Sequence, residues 1–289
     1  MNNFRNIALL FTLLFAVAFS ASAQLRLPQA SPKAVIMQTI GITDVTIKYH
    51  SPSVKGREIF GKLVPYGKIW RTGANEANII TISDDITINK ERVPGGKYSL
   101  FTFPESETSW YLVLNSDTTL WGTENYDSNK DIARIPITAS PDDFYESLQF
   151  SFNNLDQHGA NLNINWENLR LTVRIETDVE GKMIAYLKKA LAEAKSDNWL
   201  VFSQAANYLI QNNMQHELAL EWVNRSIAIK DNFYNNYVKA RLLAQKNEYE
   251  EATNLTKKAI RLGQAEPESY KTFSTEIERA LNEWKNKAD

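Results

Sequence analysis

Arg71, Asn75 and Glu76 fall within one short run, Arg71-Thr72-Gly73-Ala74-Asn75-Glu76, and Lys55 and Arg57 precede it by a few turns of loop. These residue types recognise small polar ligands. An arginine grips a carboxylate or phosphate with two parallel hydrogen bonds. An asparagine offers both donor and acceptor to a sugar hydroxyl or a peptide group. Trp70 and Tyr66 add aromatic faces on which a ring can stack. The set Lys55, Arg57, Trp70, Arg71, Asn75 and Glu76 is therefore a candidate pocket for a small anionic or carbohydrate ligand. The competing reading is structural: Arg71 pairs with Glu76, Asn75 caps a turn, and Trp70 belongs to the core.

Other chemistries find less material. The chain has no cysteine and three histidines. Disulfides, thiol nucleophiles and cysteine zinc sites are excluded, and His50, His158 and His216 show no metal-ligand spacing. His50 and His158 form a metal site only if folding brings them to Glu76. Asp84, Asp85, Asp117, Asp127 and Asp131 match no calcium loop and read as turn residues. No nucleophile elbow, Rossmann glycine fingerprint or phosphate-binding loop is present. Glu76, Glu124 and Asp131 are carboxylates of the kind a glycosidase uses, but any acidic domain has such residues. A net charge of −2 argues against nucleic acid. No cofactor, metal or catalytic residue is expected.

The segment that must hold these groups is unusual. Residues 51–76 contain four glycines and two prolines, and five basic residues against Glu58 and Glu76. A structured loop of this length inside a compact domain is uncommon and often functional. Around it the sequence alternates polar and apolar, as in Asp44-Val45-Thr46-Ile47-Lys48-Tyr49-His50, which is the pattern of a half-buried strand. Ile79–Ser83 and Ile86–Asn89 flank Asp84-Asp85, which predicts a hairpin. Pro94-Gly95-Gly96 predicts a turn before Tyr98–Phe103. Strand runs follow at Trp110–Leu114, Leu148–Phe152, Leu162–Trp166 and Leu169–Ile175. About ten short strands with turns between most of them predict an antiparallel sandwich or jelly roll.

Gly56-Arg57, Ile59-Phe60-Gly61, Leu63-Val64-Pro65-Tyr66-Gly67 and Trp70-Arg71-Thr72-Gly73-Ala74-Asn75-Glu76 together resemble the signature of an exported bacterial family known as domain of unknown function 2911. Pro94-Gly95-Gly96-Lys97-Tyr98-Ser99-Leu100, Trp121-Gly122 with Tyr126, Asp131 with Arg134, and Trp166-Glu167 extend the resemblance over roughly residues 30–177. It implies an exported β-rich domain, often with a helical repeat tail, and no particular chemistry.

After Val179 the period changes. Met183, Tyr186, Leu187, Ala190, Leu191 and Ala194 recur at helical spacing. The charge changes too: residues 182–289 hold 16 Lys+Arg and 14 Asp+Glu, whereas 24–181 hold 15 and 20. A shift of 33 aligns Leu209 with Leu242, Ala219 with Ala252, Ser226 with Ala259 and Ile227 with Ile260. This resembles tetratricopeptide repeats, although the Trp-x-x-Leu-Gly opening is missing. Aromatics in such a unit either line a groove or fill the core, and Asn235, Asn236 and Tyr237 are the predicted groove.

Residues 1–23 read as a secretory signal peptide, with Arg5, the apolar run Ile7–Phe19 and the cleavage site Ala21-Ser22-Ala23. The run is shorter than the ~20 residues of a membrane span. The expected organisation is thus a leader cleaved after Ala23, a β domain over 24–178 and an all-α domain over 179–289, exported to a periplasm or secreted. The expected function is a non-catalytic binding or scaffold protein whose helical repeats dock another protein. The second reading is the small-ligand site of the 51–76 loop, and the third is a periplasmic hydrolase.

Overall fold

A computed structural model describes residues 27–288. The leader and its cleavage site lie outside the described residues. The chain divides into two compact units between Thr177 and Asp178, and each is described by itself.

The first unit is antiparallel β. Its strands are β1 (Lys33–Ile40), β2 (Thr43–His50), β3 (Asn78–Ile82), β4 (Ile86–Ile88), β5 (Glu91–Val93), β6 (Gly96–Pro104), β7 (Ser109–Asn115), β8 (Asp131–Asn153) and β9 (Gly159–Glu176). The order across the sheet is β1-β2-β3-β6-β7-β8-β9-β4-β5. The alternation in β2 is realised directly: Val45, Ile47 and Tyr49 are buried while Lys48 is exposed. β8 carries two ladders. Its first part, from Asp131 to Thr138, pairs with β7, and Ala139 to Asn153 pairs with β9. One core gathers Ile47, Ile80, Leu100, Leu112 and Ile135 from the first ladder with Ile86, Val93, Leu162, Ile164 and Ile175 from the second. Each such side chain contributes roughly 1.5–3 kcal/mol by leaving water.

Two expectations need correction. Two of the nine strands are long and not short, because β8 and β9 run on through bulges. The β8 register shifts between Pro141 and Tyr145 and again between Tyr145 and Gln149, and Glu167 in β9 has φ +53°. Bulges absorb extra residues without ending the pairing. Nor does Asp84-Asp85 close a hairpin: β3 pairs with β2 and β6, while β4 pairs with β5 and β9. The two aspartates cross from one ladder to the other. Asp85 takes a hydrogen bond from the Gly95 amide at 3.0 Å and an ion pair from Arg92 at 2.7 Å. The tight hairpin is at Asn89-Lys90, where φ is +48° and +75°. Positive φ at both central residues is the two-residue turn that matches strand twist.

The second unit has α1 (Val179–Glu193), α2 (Trp199–Gln211), α3 (His216–Ile229), α4 (Phe233–Gln245), α5 (Tyr249–Gln264), the one-turn α6 (Pro267–Tyr270) and α7 (Ser274–Ala288). The residues related by 33 positions occupy equivalent places. Leu209 and Leu242, Ala219 and Ala252, and Ser226 and Ala259 are all fully buried. Small residues at α3 and α5 let each helix pack close to its neighbour. Among the described residues no helix is long and apolar enough to cross a membrane.

Candidate functional site on the 71–76 loop

The loop is pinned before it reaches the site. Trp70 pairs with Thr102 of β6, with backbone bonds of 2.8 and 2.9 Å. Its indole stacks on Trp166 at 5.7 Å and meets Phe60 and Trp110 edge-on. Trp70 is thus partly buried and packed against the core.

Thr72 follows with φ +57°, fully buried. A β-branched residue in this region is strained, by roughly 1–3 kcal/mol, and persists only where its surroundings fix it. Three hydrogen bonds do so. The Thr72 hydroxyl lies 3.0 Å from that of Thr102 and donates to the Trp70 carbonyl at 3.2 Å, and Asn78 Nδ2 donates to the Thr72 carbonyl at 2.7 Å. Gly73 then passes so close to the end of β2 that a Cβ there would sit 2.9 Å from the His50 carbonyl oxygen.

Beyond Asn75 (φ +60°) the chain pairs with a second loop. Gly122 donates to the Asn75 carbonyl at 3.4 Å, Glu76 and Trp121 face each other in an antiparallel bridge, and Ala77 donates to the Leu120 carbonyl at 3.0 Å. A small core of Ala77, Phe101, Val113 and Leu120 lies beneath, flanked by Ile69 and Tyr126. The second loop has its own anchor. Asn115 Nδ2 donates to Asp131 Oδ1 at 2.8 Å and to the Asp127 carbonyl at 2.9 Å, and the Tyr126 hydroxyl donates to Asp131 Oδ2 at 2.5 Å. Burial, and then the Asp131 carboxylate, push the Tyr126 hydroxyl well above its ordinary pKa. It stays a donor at any physiological pH.

These two loops bring together Arg71, Asn75, Glu76, Trp121 and Gly122, with His50 at the end of β2. Glu76 does not pair with Arg71. Its carboxylate lies 3.5 Å from His50 Nδ1 and its side chain is 63% exposed. Arg71 Nη1 reaches the Gly122 backbone, 3.8 Å from the place of an added Cβ. Arg71 is partly buried and its Nε is fully enclosed, yet among the described residues no acceptor meets it and no carboxylate pairs with it. A guanidinium in this position costs stability, since a buried unmatched donor is unfavourable by roughly 1–3 kcal/mol.

Lys55 and Arg57 do not join the site. The Lys55 amide donates to Glu146 Oε1 at 2.9 Å, and Arg57 donates to the Ser53 and Val54 carbonyls at 2.6 and 3.0 Å. The Lys55 amide ties the start of the long loop to β8, and Arg57 closes that loop on itself. Trp121 and Gly122 are the residues that reasoning on the 51–76 loop missed as site members. Their signal was the Trp-Gly pair of the family resemblance. His158 stays in the Asp156–Gly159 turn, and no group of three His, Cys, Asp or Glu that could hold a metal occurs among the described residues.

A family model described as "protein of unknown function (DUF2911)" matches residues 31–175. The chain belongs to this family. No curated protein and no solved structure matches it. The DUF2911 match spans β1 to the end of β9, so every residue of the cluster lies within the family's domain and the helical unit lies outside it.

In the helical unit the predicted groove residues are interior. Asn235 and Asn236 are 0% and 1% exposed, and Tyr237 is buried. Asn232 and Asn235 form a reciprocal capping box at the start of α4. Asn235 Nδ2 also donates to the Lys230 carbonyl at 2.7 Å and to Ser226 Oγ at 3.1 Å. Asn236 donates to the Asn232 carbonyl. The Tyr237 hydroxyl donates to Glu276 Oε1 at 2.8 Å and its ring stacks on Trp284. Asn235 is buried because it serves helix-end groups, accepting from the Asn232 amide and donating to the Lys230 carbonyl. An open groove of about 570 Å³ lies elsewhere, between α1, α2 and α3, lined by Leu191, Phe202 and Trp222 with Lys188 and Arg225 at its edge.

Proposed function

We propose that this DUF2911 protein is a non-catalytic binding protein that takes a small anionic ligand on Arg71. One observation carries the reading: a partly buried guanidinium that no carboxylate pairs with among the described residues, on a loop held in strained backbone by Thr72 and Asn78. A ligand carboxylate or phosphate would supply the missing negative charge in a pair of directed hydrogen bonds. The fixed loop lowers the ordering cost of binding. The leader read in the sequence would place this site in a periplasm.

The test is thermal stabilisation of the protein by acetate, succinate and inorganic phosphate. At 100 times its dissociation constant a ligand adds about 2.7 kcal/mol, a rise of roughly 5–10 °C for a unit of this size. The rise should vanish in Arg71→Met. Saturation by an anion with equal effect on wild type and Arg71→Met would refute the assignment of the site.

A second reading, docking of another protein on the helical unit, is favoured by the groove between α1, α2 and α3. Its test is a pulldown in which Trp222→Ala or Phe202→Ala releases the partner.

A further inference from the structure

On the loop that pairs with Asn75 and Glu76 stands an exposed indole. Trp121 is 66% exposed, whereas the other six tryptophans are buried or partly buried. Its position is fixed by the antiparallel bridge to Glu76. Residues facing each other in such a bridge place their side chains on one face, with Cβ atoms ~4.5–5.5 Å apart. The indole and the Glu76 carboxylate thus share a face, His50 joins them through Glu76, and Arg71 Nη1 lies 3.8 Å from where a Cβ would stand on Gly122, the next residue along.

We infer, building on the anion reading above, that the ligand is an acidic sugar, a hexuronic acid unit. Its ring would lie on the Trp121 indole, its carboxylate on Arg71, and its hydroxyls on Glu76 and Asn75. The composition of the site selects this class. The site offers one cation and, next to it, one exposed carboxylate. A phosphate-rich ligand would meet repulsion from Glu76. An aromatic acid such as benzoate could stack and pair with Arg71, but it has no donor for the Glu76 oxygens. A neutral sugar would satisfy Glu76 and Trp121 and leave Arg71 unmatched. A ring that carries one carboxylate and several hydroxyls answers all three groups. An indole is also the kind of amphipathic surface used where one side of a ligand is apolar and the rest is wet.

The test is a tryptophan-fluorescence and calorimetric titration of the protein with D-glucuronate and D-galacturonate. Glucose, acetate, benzoate and inorganic phosphate serve as comparisons. The uronates should bind at least about tenfold more tightly than any comparison compound, the size expected of one aromatic stacking contact. Trp121→Ala should weaken the uronates about tenfold and leave acetate unchanged, while Arg71→Met should abolish both. If acetate, benzoate or phosphate binds as well as the uronates, or if Trp121→Ala binds them like wild type, the acidic-sugar assignment fails and the anion site stands. If glucose binds as well as the uronates, the acidic-sugar assignment fails, and if no anion binds at all, both readings fail.

Discussion

Replacing Gly73 by alanine tests whether the loop is seated as described. The added Cβ would lie 2.9 Å from the His50 carbonyl oxygen and 3.1 Å from Asn78 Oδ1. Neither neighbour can yield easily. The first is backbone, and the second belongs to the side chain whose Nδ2 holds the Thr72 carbonyl at 2.7 Å. An ordinary contact needs about half an ångström more, so the loop must rise off β2 and loosen that bond. Overpacking of this kind costs about 2 kcal/mol, a fall of roughly 4–8 °C in the melting of the β unit. Gly67→Ala is the internal comparison. Gly67 has φ +76° and open space around its Cβ, so only the left-handed conformation is penalised, by about 1 kcal/mol or roughly 2–4 °C. Calorimetry of both variants reads the two costs side by side. A Gly73→Ala protein melting no lower than Gly67→Ala would refute the close seat on His50, and with it the pre-organised site.

Tyr126→Phe should lower the melting temperature by an amount equivalent to about 1–2 kcal/mol, because it strips a partner from the Asp131 carboxylate; Asp131→Asn, which keeps an acceptor, should cost less. Asn235→Ala should cost about 2–3 kcal/mol in chemical denaturation of the helical unit, since it removes half of the capping box and leaves the buried Asn232 amide without its acceptor; an unchanged midpoint would show that the capping box is dispensable. The Lys130 ammonium, and then Thr119, hold the Asp117 carboxyl down at about 2. A carboxylate with a lowered pKa stabilises the fold fully above its ordinary range near 3.9, and that contribution drains away as pH falls through about 2. Carboxyl NMR should therefore find Asp117 titrating near 2, and higher in Lys130→Ala but still below its ordinary value, because the two Thr119 hydrogen bonds remain.

The sequence carried the local rules and missed the non-local choices. Period-two alternation placed β2, which buries one face, while β6 and β7, buried on both faces through their centres, stood out as runs of apolar and aromatic residues. Asp84-Asp85 had the composition of a hairpin turn, yet whether two flanking strands pair depends on partners far along the chain. The true hairpin, Asn89-Lys90, lacks the glycine that usually advertises one. β8 passes through Pro136 and Pro141, which look like strand ends, because Pro136 is exposed and Pro141 falls at a bulge. At the site, Arg71, Asn75 and Glu76 were legible by type. Their relations were not: Glu76 turned to His50, Arg71 was left without a carboxylate, and Trp121 arrived from a loop 45 residues on. Asn235 and Asn236 looked exposed because asparagine pairs usually are. Here the end of α3 needed a donor and the start of α4 an acceptor, and Asn235 was drawn inside to supply both.

The central claim is that Arg71 is a charge held ready for a ligand and not a strut of the loop. Methionine keeps the length and packing of the arginine stem and removes the unmatched guanidinium. The most direct measurement is the melting temperature of ligand-free Arg71→Met against wild type. The account predicts a value between no change and a rise of roughly 5 °C, the sign expected when an unsatisfied buried donor is deleted. A fall of more than about 3 °C, equivalent to about 1 kcal/mol, would mean that Arg71 ties the loop together and would contradict the claim.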